Sequence, residues 1–134
     1  MGFPVVSTSV ETKACRRFIR VMQRSKVARL IHEGQVFNCR VIAGTNEYSQ
    51  HAWGNAVDLM AAGANLRDIA YNAVDQGTQR TLGNRGRLCR VERVIYETRE
   101  WRRGSGWFAY TGEPHTDHVH VDFWPNRTGT PPCA

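Results

Sequence analysis

The sequence predicts an α+β fold in a single domain, a small and mostly antiparallel sheet with helices packed on one face and a cleft on the other. Three observations carry this. The chain's 134 residues are about one domain's worth, and 41% hydrophobic content is enough for one packed core. Helical periodicity is confined to the N-terminal stretch and one internal segment. The other apolar residues fall in short alternating or β-branched runs bounded by turn residues, with no internal repeat and no long linker between them. The chain therefore divides into a helical N-terminal part (1–34), a central part that holds the polar motifs (36–123) and a Pro/Gly-rich tail (124–134).

Each element has its own signal. From Glu11 to Gly34 the pattern is helical, with Cys15, Phe18, Ile19 and Met22 at i, i+3, i+4 and i+7 and Arg16, Arg17, Arg20 and Arg24 outside. The stripe slips before Val27, Leu30 and Ile31, which predicts two short helices or a kink near Arg24-Ser25-Lys26, with a stop at Gly34. Val36 to Ile42 reads as a strand ending in the Ala43-Gly44-Thr45-Asn46 turn, and Ala56 to Met60 as a second. Asn65 can cap a helix that has Asp68 at N3, an apolar face of Leu66, Ile69, Ala70, Ala73 and Val74, and an end at Gly77. Thr78 to Arg90 is polar and Gly-punctuated, hence a loop, and Val91 to Tyr96 is a strand. Trp101 to Gly112 reads as an aromatic loop, a cleft wall or a satellite hydrophobic cluster. His118 to Phe123 alternates as a final strand.

Composition narrows the function classes. No run approaches the roughly 18 apolar residues of a membrane span, so membrane insertion is not expected. Eighteen Lys plus Arg against 12 Asp plus Glu give +6, and only Lys13 and Lys26 are lysines. Such a surface suits nucleic acid, anionic lipid or an anionic wall polymer, and equally a solvated basic face, so charge alone selects no partner. Cys15, Cys39, Cys89 and Cys133 are too widely spaced for a C-x-x-C zinc knuckle. They allow two disulfides in three pairings, or four reduced thiols.

Four of five histidines fall in two segments that also hold Asp58, Asp117 and Asp122; His32 is the outlier. The first runs from Ser49 to Asp58 and contains Gly54, which permits a tight turn that brings His51 and Asp58 together. The second is Pro114-His115-Thr116-Asp117-His118-Val119-His120-Val121-Asp122. On a strand His118, His120 and Asp122 share one face while Val119 and Val121 enter the core. Imidazole and carboxylate on rigid backbone are what a metal site requires.

Ser49-x-His51-x-x-Gly54-x-Ala56-x-Asp58 followed by Asp117-x-x-His120 resembles the zinc D,D-carboxypeptidase and L-alanyl-D-glutamate endopeptidase family, peptidase family M15, which includes phage endolysins. Cys39-Arg40 ahead of the first motif is similar to the extensin-like branch, and Tyr110-Thr111-Gly112 before the second resembles actinobacterial and phage wall peptidases. The resemblance covers about Val36 to Phe123. It implies one Zn²⁺ held by His51, Asp58 and His120, with a fourth position left for water, the mark of a catalytic site. It implies Asp117 as the catalytic acid or base and Arg40 as the oxyanion-stabilising arginine. Strand alternation turns Asp117 away from His120 and puts His118 on the ligand face; on the resemblance Asp117 still ranks first and His118 second for this role, with Asp117 needing a strand entry or bulge. Asp122 is expected to orient an imidazole. Ser49, His115, Trp107 and Tyr110 are candidate substrate contacts; for Ser49 a hydrogen bond to its own turn is the alternative. The extensin-like likeness also implies a Cys39–Cys133 disulfide, which leaves Cys15 with Cys89.

The expected function is a zinc peptidase acting on bacterial peptidoglycan, as a phage lysin or virion-associated wall hydrolase. It is expected to be a monomer with no specific nucleic-acid partner. Met1 to Ser7 has neither a charged n-region nor an apolar h-region, so release by holin-type lysis or carriage in a particle is expected instead of secretion. The competing readings are a zinc nuclease or phosphoesterase and a non-catalytic wall-binding module that keeps zinc for folding.

Overall fold

Alternation along two strands builds the centre of the molecule. In the computed structural model, which describes residues 2–6, 11–78 and 90–134, β3 spans Ala56–Met60 and β7 spans His115–Phe123. Val57, Leu59, Val119, Val121 and Phe123 are fully buried on one face. Asp58, His118, His120 and Asp122 occupy the other. β1 (Val5–Val6), β2 (Glu33–Gln35), β4 (Val91–Glu97), β5 (Arg99–Arg102) and β6 (Gly106–Ala109) complete a seven-stranded sheet in the order β1-β2-β3-β7-β4-β5-β6. Only the β1–β2 pair is parallel.

Two helices cover the apolar face. α1 (Lys13–Gln23) is capped by Thr12, whose hydroxyl accepts from the Cys15 amide, and it buries Cys15, Phe18, Ile19 and Met22. The Phe18 ring meets Phe123 at 5.3 Å, and each such fully buried side chain contributes about 1.5–3 kcal/mol. α2 (Leu66–Thr78) lays Leu66, Ile69, Ala70 and Ala73 on the same core. The fold is thus α+β in one domain, with the polar strand faces left opposite the helices. Among the described residues no helix is long and apolar enough to cross a membrane.

Several boundaries differ from the sequence expectation. Helix α1 ends at Gln23, beside the expected break. A single 3₁₀ turn, Ala28–Leu30, leads from there into β2, so Gly34 lies inside a strand. A Cβ there would stand 3.3 Å from Phe3 and Val57, so this glycine permits close packing and ends no helix. The strand expected over Val36 to Ile42 does not form. Pairing stops at Gln35, and beyond it only Val41 bridges, to Tyr48. α2 ends at Thr78, within one residue of the expected stop at Gly77, which is pressed on Val91, where a Cβ would clash at 2.5 Å. The Thr78 to Arg90 loop otherwise lies outside the described residues.

The aromatic loop is a β-hairpin, β5–β6, which alternates its side chains between the two faces. Trp101 and Trp107 pair across it on the helix face, where Trp107 stacks on Tyr71 of α2 at 5.2 Å. Cys39 and Cys133 form a disulfide. Cys15 is a free, fully buried thiol whose Sγ donates to the Ala56 carbonyl, so the second expected disulfide is absent at Cys15; Cys89 lies outside the described residues.

Candidate metal centre

The centre is assembled from one sheet register and one turn. Asp58 of β3 and His120 of β7 are direct cross-strand partners, which places their side chains side by side on the polar face. His51 arrives from a 3₁₀ turn, Gln50–Trp53. Ser49 caps this turn by accepting from the His51 amide, and Gly54 ends it at φ 66°, a left-handed conformation that favours glycine. Asn55 then anchors the return into β3 through hydrogen bonds to the Gln50 side chain and the Phe123 carbonyl. The turn inferred from Gly54 thus forms, and its role is to carry His51 back over Asp58.

His51 Nε2 lies 3.1 Å and His120 Nδ1 3.2 Å from the same Asp58 oxygen, Oδ1. All three donor groups fall within 4.8 Å of one another, so the set can hold a metal ion. Donors bound tetrahedrally at 2.0–2.2 Å from such an ion stand roughly 3.3–3.5 Å apart, close to the spacing seen. The remaining ring nitrogens are fixed from behind. His51 Nδ1 meets the Val36 carbonyl at 2.6 Å, and His120 Nε2 meets Asp122 Oδ2 at 2.9 Å. These contacts set the tautomers and leave His51 Nε2 and His120 Nδ1 as the inward donors. The chain leaves the sheet at Val36, whose carbonyl meets His51 in place of a neighbouring strand.

Asp122 is fully buried, and Arg93 of β4 offsets its charge with Nε at 2.9 Å and Nη2 at 2.8 Å from Oδ2. Asn126 donates to the other oxygen. Burial opposes ionisation of Asp122, but the hydrogen bond from His120 and the Arg93 charge hold its carboxyl below the usual range. Asp58 behaves alike: burial raises its pKa, and the hydrogen bonds from His120 and His51 overcome this and hold it well below. For His120, burial disfavours the cation, yet Asp122 and Asp58 together raise its pKa.

The group is open on one side. Asp58 keeps 18% and His118 22% of the side chain exposed, and His118 Nε2 is 3.8 Å from Asp58 Oδ1. Against β3, β7 keeps its register as far as His118, and Asp117 beside it is mostly solvent-exposed, its carboxylate turned back onto His118 Nδ1 at 2.7 Å. Against β4 the register shifts between the pairs Ile95–His120 and Glu97–His115, a stretch of β7 that includes Asp117, yet this irregularity does not bring the Asp117 carboxylate to the centre. His115 begins β7, its ring 4.6 Å from His118 and 5.3 Å from Tyr110. Burial, then the His120 and His118 charges, push the His115 pKa down to about 4, so this ring is neutral at neutral pH. Gly112 packs under Tyr110, where a Cβ would meet the ring.

The expected residues therefore sort by position. His51, Asp58 and His120 converge, with Asp122 behind them and His118, His115 and Tyr110 around the opening. Ser49 is buried in its own turn, which is the structural alternative for this residue. Trp107 lies on the opposite face of the sheet, because β6 alternation turns Phe108 toward the cleft side instead. Arg40 is exposed and its guanidinium makes no hydrogen bond or ion pair among the described residues. Sequence reasoning did not find Arg93, whose one signal is a lone arginine within the apolar run Val91 to Tyr96, or the Val36 carbonyl, which has no side-chain signature. Compared with known proteins, the chain matches no family model, no curated protein and no solved structure.

Proposed function

We propose that the chain is a zinc peptidase that hydrolyses peptide bonds of bacterial peptidoglycan, as the likeness of its two motifs to peptidase family M15 implies. The observation that carries the reading is a three-donor group, His51, Asp58 and His120, with buried supports behind it and an exposed side in front. Structural sites close four protein ligands around the ion, whereas catalytic sites leave a position free. When bound there, Zn²⁺ supplies Lewis acidity, bringing a water's pKa toward about 7 and polarising a scissile carbonyl.

The chain's own groups supply the rest. His118 stands at the opening with Nδ1 held by Asp117, so its Nε2 is aimed to accept a proton from the attacking water and return it to the departing amine. Asp117 is then the orienting partner of that imidazole. His115 and Tyr110 form a wall over the same side, and Arg40 offers a free guanidinium for charge on the substrate.

Digestion of purified peptidoglycan by the zinc-loaded protein tests this. New amino termini without new reducing ends or phosphomonoesters are expected; reducing ends or phosphomonoesters alone would overturn the peptidase reading. Within it, His118→Ala is expected to lower turnover by about 10²–10⁴-fold and Asp117→Asn by less. The opposite order would return the proton-transfer role to Asp117.

A further inference from the structure

The His51 turn is clasped between two stretches of chain that the Cys39–Cys133 disulfide joins. On one side, the Asn38 amide donates to the His51 carbonyl, the Arg40 carbonyl accepts from the Ser49 amide, and the Val36 carbonyl holds the His51 ring. On the other, the Arg127 backbone exchanges two hydrogen bonds with the Gln50 side chain, and Cys133 Sγ packs 3.7 Å from the Ala52 carbonyl. The tail also reaches the second histidine, since Asn126 donates to Asp122, which orients His120. Yet residues 124–134 form no helix or strand, and of them only Pro131 is buried, so apolar burial does little to fix them. Cys39 and Cys133 are both exposed, which leaves their bond open to a reductant.

We propose that this disulfide is a redox latch on the metal centre: closed, it holds both histidines in place for the ion, and opened, it releases the tail and weakens the site. A dithiol opens it in two exchanges. Its first thiolate attacks one sulfur and forms a mixed disulfide, expelling one cysteine; its second then displaces the other. Cys39 and Cys133 end as thiols, taking up the protons the dithiol gave up, and the dithiol ends as a disulfide, two electrons having passed. The coupling is reciprocal, because an ion that binds the closed form more tightly also protects the bond from reduction. The site is thereby tight in an oxidising compartment and weak in a reducing one. The inference rests on the metal centre of the proposed function and not on the bond that it cuts.

Zinc affinity of the full chain, measured by chelator competition with the disulfide intact and with Cys39→Ser and Cys133→Ser combined, tests it. The serine variant has the latch open and no thiols at these positions to bind zinc themselves. It is expected to bind zinc about 10–100-fold more weakly, whereas Trp107→Ala, which unsettles the opposite face of the sheet, is expected to bind it unchanged. If the serine variant does not fold, the reciprocal effect decides. In glutathione buffers with free zinc set by a chelator, saturating zinc should lower the ratio of reduced to oxidised wild type by about the same factor. Equal zinc affinity in the folded oxidised and serine chains, or no protection of the bond by zinc, overturns the latch and leaves the metal centre standing. An equal loss in Trp107→Ala overturns it too, since destabilisation alone would then account for the effect. No zinc binding by the oxidised chain overturns the centre, and the latch with it.

Discussion

Asp122 shows how the centre depends on residues that touch no metal. Its carboxylate has no exposed surface and is balanced by Arg93 on one side and His120 on the other. Arg93→Met removes one partner and leaves a buried charge uncompensated, a change that costs about 3–5 kcal/mol. It also loosens the support of His120, for which a 10–100-fold loss of metal affinity is typical. Competition with a chromophoric chelator and a thermal melt measure the two effects; unchanged affinity would mean that Arg93 serves folding alone. Titration gives a second expectation, for the metal-free chain. The Asp58 and Asp122 pKa values are depressed, so their contribution to stability is present above the ordinary carboxyl value of 3.8 and is lost as pH falls through the folded values. His120 is raised above 6.5, so its contribution is present below 6.5 and is lost as pH rises through its folded value. Chelated protein should therefore lose melting temperature on the alkaline side, above about pH 6.5, and bound metal, which takes the place of the proton on His120 Nδ1, should remove that loss. Parallel curves with and without chelator would contradict the ligand assignment.

The β5–β6 hairpin separates packing from recognition by alternation alone. Trp107 packs on Tyr71 and Tyr96 on the helix side, so Trp107→Ala should cost about 2–4 kcal/mol of stability and leave metal content intact. Tyr110→Ala, beside His115, should do the reverse, altering substrate preference with little effect on the melting temperature. If Trp107→Ala instead changed bond preference in a stably folded protein, the assignment of faces would be wrong. The same hairpin shows what the sequence could reveal of the fold. β3 and β7 were legible because apolar and polar residues alternate over a half-buried sheet, and α1 because its stripe keeps helical spacing up to Gln23. The strand expected at Val36 to Ile42 was not, since residues there serve a bridge at Val41, a disulfide at Cys39 and the Val36 carbonyl that holds His51 instead of a ladder. Gly34 reads as a stop, although close contact with Phe3 and Val57 explains it, and that contact exists only once the chain is folded.

The ends of the chain are tied to the centre as well. The Cys39–Cys133 disulfide closes 94 residues, and Gln50 of the His51 turn exchanges hydrogen bonds with the Arg127 backbone in the tail. Replacing both cysteines by serine should lower stability by about 2–5 kcal/mol, a loss that denaturant melts can measure. The candidate ligand set came from the family resemblance, and spacing alone indicated only that His51 meets Asp58 and that His118, His120 and Asp122 share a strand face. Gly54 marks the turn, and alternation puts Asp58 and His120 on the polar faces of their strands, while their direct pairing is set by the folded sheet. Their supports were not legible, because Arg93, Asn126 and the Val36 carbonyl come from separate stretches of chain brought together by the sheet and tail. The most direct test is metal content measured together with release of amino termini from purified peptidoglycan, for wild type and His120→Ala side by side. Near one zinc per chain with amine release, both lost in a folded His120→Ala protein, is the predicted result. Stable zinc binding without amine release from walls of several chemotypes, or amine release that persists in the variant, would contradict the account.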